Sequence, residues 1–70
     1  MRKVQAEKIK EAYDNNLAEL NEKEMDVLSR FYGLDGKVRH TLQEIGDIYG
    51  VTRERIRQIK AGALEKIGIK

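Results

Sequence analysis

Apolar residues recur along this chain at intervals of three and four, the period of a helix surface, and no stretch alternates as a strand would. The spacing predicts a first helix from about Val4 to Leu17. Its loose apolar stripe is Val4, Ile9, Ala12, Tyr13 and Leu17, continued by Leu20, and Asn15-Asn16 is placed to fray or bend its end. Asn21 followed three residues later by Glu24 is a capping box, and Met25, Leu28, Phe31 and Tyr32 follow at helical spacing up to Gly33, a C-cap residue. Residues 34–40 read as a connector. Thr41 and Glu44 form a second capping box, opening a short helix to about Tyr49 with Leu42, Ile45, Ile48 and Tyr49 on its inner side. After the turn residue Gly50, Thr52 caps a last helix whose core stripe is Ile56, Ile59, Ala63 and Ile67. The expected fold is all-α, a bundle of about four helices in one domain over residues 1–70. Its C-terminal part, about 41–67, is a helix-turn-helix.

Gly46 lies inside the first helix of that unit, where glycine costs about 1 kcal/mol against alanine. Close approach of the second helix across that position accounts for it. On the second helix, at about 100° per residue, Glu54 and Gln58 point nearly opposite the core stripe. Arg57 lies on one flank and Arg55 on the other. Arginine matches guanine in the major groove, glutamine matches adenine, and glutamate accepts from the cytosine amino group. Glu54, Arg57 and Gln58 are therefore assigned to bases. Arg55 goes to a phosphate or to an intramolecular pair, and Arg53, at the helix start, to a base or a phosphate. Thr52 serves as cap and phosphate neighbour, since helix N-termini attract phosphate oxygens. With Thr41, these residues make up the predicted DNA-contacting set.

Net charge is only +2, yet it is unevenly spread. Residues 11–26 hold six acids against Lys23 alone, a net of −5, while residues 51–70 hold six bases against Glu54 and Glu65, a net of +4. A polyphosphate is repelled by the first segment and attracted to the second. With 40% hydrophobic and 37% charged residues, the composition suits a small helical domain better than disorder. The chain has no cysteine, which excludes disulfides and thiolate metal sites. His40, the only histidine, has no carboxylate cluster near it in sequence, so it is expected to cap a loop or touch a phosphate. No cofactor, metal site or catalytic constellation is expected. No apolar run approaches the roughly 20 residues of a membrane span, and no signal-peptide core is present, which is compatible with a cytoplasmic location.

The stretch Val51-Thr52-Arg53-Glu54-Arg55-Ile56-Arg57-Gln58-Ile59 resembles the recognition-helix signature of region four of housekeeping-type bacterial sigma factors. Leu20 to Glu24 through Phe31-Tyr32-Gly33-Leu34 is similar to that region's leading helix. Leu34-Asp35-Gly36 and His40 to Gly46 match its connector and the first helix of its helix-turn-helix. The resemblance spans roughly Ile9 to Ile67. It implies a non-enzymatic domain that recognises the promoter minus-35 element in double-stranded DNA together with core RNA polymerase. It also implies that Leu28, Phe31 and Tyr32 belong to a groove that receives the flap-tip helix of the polymerase β subunit, a helix-in-groove contact. The family usually has an acidic residue at the place of Lys60, and basic residues that contact activators at Gly62, Glu65 and Gly68, so activator contact is not implied here. The sequence fits either an excised domain or a complete small protein. Two rival readings stand beside this one. One is a stand-alone helix-turn-helix regulator; the other is a module that binds the β flap, or an anti-sigma protein, without using DNA.

Overall fold

The computed structural model describes residues 3–36 and 38–69, with side chains from Glu7 onward apart from Asp35. Four α-helices follow one another, with no strand among the described residues: α1 Lys3–Asn15, α2 Glu22–Tyr32, α3 Leu42–Tyr49 and α4 Arg53–Lys66. Short 3-10 turns, Leu17–Glu19 and Leu34–Gly36, lie on either side of α2. The all-α bundle expected from the spacing is what forms. The Val4 side chain and Lys70, counted in the sequence patterns, lie outside the described residues.

Both predicted capping boxes are present. Asn21 Oδ1 accepts from the Glu24 amide at 2.8 Å while Glu24 Oε1 accepts from the Asn21 amide at 3.0 Å. Thr41 and Glu44 repeat the arrangement at 3.1 and 2.8 Å. Each satisfies amides that the first helical turn leaves without partners. Gly33 and Gly50 close α2 and α3 in the left-handed conformation, at φ 68° and 72°, which glycine adopts without steric cost. The first helix ends sooner than its stripe suggested. Asn16 Nδ2 donates back to the Ala12 carbonyl at 2.8 Å, the chain tightens into the 3-10 turn, and Leu17 is left 43% exposed.

Two apolar clusters hold the helices. In one, Tyr13 of α1, Leu20, Leu28 of α2, Leu34, Ala63 of α4 and Ile67 just beyond it pack together. In the other, Val27 of α2, Ile45 of α3 and Ile56 of α4 meet, flanked by Phe31, Leu42, Tyr49, Val51 and Ile59. Ile48, expected on the inner side of α3, is instead 50% exposed, because α3 is only two turns long and α2 and α4 cover its Ile45 face. A polar tie reinforces the second cluster. Asp26 Oδ2 of α2 accepts from the Tyr49 hydroxyl of α3 and, at 2.8 Å, from Arg30 Nε.

Candidate nucleic-acid interface

The junction between α3 and α4 is fixed by one glycine. A Cβ at Gly46 would lie 2.7 Å from the Val51 carbonyl oxygen, closer than side chains come to any atom, and a tight 3.3 Å from the Thr52 carbonyl carbon. The sequence reading placed the second helix itself across Gly46. The approaching atoms are the turn that leads into that helix, its cap and its first residue, Arg53, whose amide nitrogen would lie 3.4 Å from that Cβ. That contact lets the Val51 amide donate to the Gly46 carbonyl at 2.9 Å, and α4 then starts at Thr52, whose hydroxyl accepts from the Arg55 amide at 3.1 Å. Arg55 stands where a capping box has Glu, so this cap is single.

From that start the helix turns Ile56 fully into the core and leaves Arg53, Glu54, Arg55, Arg57 and Gln58 exposed, as their spacing predicted. The structure sorts them. Arg53, Glu54 and Arg57 line a cleft with Thr41, Leu42 and Gln43, so the first turns of α3 and α4 meet there. Arg55 and Gln58 line a separate hollow beside Asn21, Lys23 and Glu24 at the start of α2. Gln43 was missed by the sequence reading. Its place two residues after the Thr41 cap was the available signal, and its amide now donates to Asp47 Oδ1 at 3.1 Å.

For Arg55 the sequence left open a phosphate or an intramolecular ion pair. Arg55 makes none among the described residues. Arg57 reaches back one turn instead, its Nε donating to Glu54 Oε1 at 2.9 Å and its Nη2 to Oε2 at 2.6 Å. Arg55 points to the opposite flank, away from Glu54. The Arg57 hydrogen bonds hold the Glu54 carboxyl below its ordinary range against an opposing effect of burial, and Glu54 in turn raises the Arg57 guanidinium.

The proposed partner-binding residues divide as well. Leu28 is 0% exposed, packed beneath Tyr13, Leu34 and Ala63, so it offers no surface to a partner and belongs to the core. Phe31 and Tyr32 are half-buried, edge to face with centroids 4.9 Å apart, and Lys60 Nζ sits 5.0 Å from the Phe31 centroid and 6.0 Å from that of Tyr32. Burial against these rings lowers the Lys60 ammonium pKa, and the Arg57 charge adds to the effect. Tyr32 also borders an open groove with Glu7, Glu11, Asp14 and Leu34. His40 holds a loop, its Nδ1 within 2.8 Å of the Val38 carbonyl oxygen and its amide donating to the Arg30 carbonyl at 2.8 Å. No metal-binding cluster occurs among the described residues, and no helix there is long and apolar enough to cross a membrane.

A family model, sigma-70, region 4, matches residues 16–67. The chain belongs to the sigma-70 region 4 family. The match takes in α2, α3 and α4 and leaves α1 before it. An RNA polymerase sigma factor SigA of Microcystis aeruginosa is 52% identical over 59 residues, 84% of this chain and 14% of the relative. One from Synechocystis sp. shares the same figures. A third, from Bacillus sp., is 49% identical over 61 residues, 87% of this chain and 16% of its own length. The region 4 chain thus spans about one-seventh of the length of the curated relatives it matches.

Proposed function

We propose that this region 4 domain binds promoter DNA sequence-specifically, at the minus-35 element, in concert with RNA polymerase, and that it has no catalytic activity. The names of its relatives support the polymerase and the process. The observation that carries DNA binding is α4: one side holds buried Ile56 and Ala63, the other exposes Arg53, Glu54 and Arg57 beside the capped start of α3, with Gln58 next along the helix. Those side chains serve base edges. Thr41, Thr52 and Arg55 serve phosphates, the contacts that set register without reading sequence. A transcription role of this kind places the protein in the cytoplasm. For the polymerase contact, the half-buried Phe31–Tyr32 pair supports a groove on this domain that receives a helix of the β flap, with Leu28 beneath it as core rather than as a contact residue. The same pair supports a second reading, a module that binds the flap or an anti-sigma protein without DNA.

Titration of the chain against a minus-35-type duplex and a scrambled one, at several salt concentrations, tests the first reading. Binding is expected to be weak and to fall steeply with salt. Arg57→Ala is expected to lose about 1–3 kcal/mol on the preferred duplex and to relax one or two positions. Equal losses on specific and random DNA would reduce Arg57 to a phosphate anchor. A correctly folded Tyr32→Glu variant that still captured the β flap would remove the groove assignment.

A further inference from the structure

We infer that the groove beside Tyr32 selects its helical partner by charge: it takes an amphipathic helix with lysine or arginine along the edge that meets α1, and Glu7 and Glu11 make the selection. The inference rests on the helix-in-groove reading above and deepens it by giving the occupant's charge. The groove has two unlike walls. Tyr32 and Leu34 supply an apolar one, continuous with the cluster that Tyr13 of α1 joins. Glu7, Lys10, Glu11 and Asp14 of α1 supply the other, three acids against one base.

Positions 7, 11 and 14 are four and three apart, so helical period sets the three acids in one exposed row on α1. Asp14 is matched within the row, its Oδ2 lying 2.8 Å from Lys10 Nζ. Glu7 and Glu11 make no ion pair among the described residues, and like charges four apart on a helix repel. Their repulsion is relieved only by a cation from outside. Lys60 also meets the Tyr32 ring, 6.0 Å from its centroid, but does not line the groove. A helix that lays its apolar face on Tyr32 and Leu34 therefore brings its edge against unmatched carboxylates, and a basic edge complements them. A nucleic acid is the occupant this rim rejects, because its phosphates carry the same sign. The three acids precede the span of the family match, residues 16–67, so membership by itself does not give their charge.

The test is binding of the 70-residue chain to one synthetic amphipathic helix made in three forms. The apolar face is the same in each, and the edges carry lysine, glutamine or glutamate. Fluorescence anisotropy at low salt is expected to show the lysine form bound about 2- to 30-fold more tightly than the glutamine form, and the glutamate form more weakly than either. The spread is expected to close at high salt. Glu7→Gln with Glu11→Gln is expected to remove most of the spread and leave the glutamine form's affinity in place. Glu7→Lys with Glu11→Lys is expected to make the glutamate form the preferred one. The double glutamine variant is expected to melt no lower than the parent, since both positions are exposed. Equal affinity for the three forms, or a spread that survives both pairs of substitutions, would overturn the inference and leave an apolar groove standing. Binding of no form at all would remove the groove reading together with it. A dimer of the chain that sediments as such and that the lysine form does not disperse would put a second copy in the groove and overturn the inference as well.

Discussion

The two apolar clusters are built on the same pair of helices, α2 and α4, and differ in what closes them. The helix-turn-helix cluster is closed by α3, two turns long, boxed at its start, ended by Gly50, and joined to α4 through the contact at Gly46. It has one fully buried aliphatic from each of three helices. The other cluster is closed by α1 and the connectors, through Tyr13, Leu20 and Leu34 around Leu28, with partly buried Met25, Leu64 and Ile69 packed on it. A few β-branched residues between locked helix ends give a site that cannot collapse. A larger set that includes a flexible methionine and segments outside the helices can adjust. The half of the molecule that carries the proposed DNA face is the half with the least slack.

The sharpest way to break this comparison is to cut one large aliphatic from each cluster. Truncations of this kind cost about 2–5 kcal/mol, and the spread reflects how well the site closes over the cavity. Ile45→Ala is expected near the upper end and Leu28→Ala near the lower, as read by urea unfolding. The reverse order would mean that the α1 cluster is the tighter one. Leu28→Glu is expected to unfold the chain, because it buries a charge with no partner.

Two glycines sharpen the contrast next. Gly46→Ala forces the Val51 carbonyl away and is expected to destabilise by about 1–3 kcal/mol. Gly62 has nothing within 4 Å of its would-be Cβ and lies inside α4, so Gly62→Ala is expected to stabilise by up to about 1 kcal/mol. Thermal melts of the two variants should move in opposite directions. A shift of the same sign in both would mean that helix propensity, not the close approach, governs Gly46.

At the start of α4 the cap is single, whereas α3 has a full box. Thr52→Ala is expected to cost about 0.5–2 kcal/mol and to weaken DNA binding as well. An unchanged melt would show that α4 is held by the Gly46 contact alone.

The smallest effect concerns the tie between α2 and α3. Burial, then the hydrogen bond to Asp26, pushes the Tyr49 hydroxyl from its ordinary 10.0 up to about 12. The folded state therefore holds this proton more tightly than the unfolded chain does. The stability it contributes is complete below about pH 10 and is lost as pH rises toward about 12. The stability difference between the parent and Tyr49→Phe, measured by urea unfolding at stepped alkaline pH, is expected to shrink across that window. A constant difference would place the hydroxyl outside the tie.

Much of this was legible from local pattern. Asn21 with Glu24, Thr41 with Glu44, Thr52, and Gly33 and Gly50 act over three or four residues, and each does what its spacing predicted. The exposed run Arg53, Glu54, Arg57 and Gln58 follows from helical period alone once Ile56 is fixed inward. The failures share a cause. Leu28 shares a stripe with Phe31 and Tyr32, so periodicity groups the three, but only the packing of Tyr13, Leu34 and Ala63 decides that Leu28 is sealed. Ile48 matches the inner face of α3 by angle, yet it is left half exposed on so short a helix.

What the sequence determined by itself is the set of helix ends and the division of each helix into a core side and a charged side, since caps and periodicity act through neighbouring backbone. What only the tertiary structure decided is which charged residues meet. The approach at Gly46 sets α4 against α3, and that angle brings Thr41 and Gln43 to Arg53, Glu54 and Arg57 while sending Arg55 toward α2. The choice of Arg57 over Arg55 as the partner of Glu54 is likewise a matter of side-chain reach on a placed helix, which charge and spacing leave open.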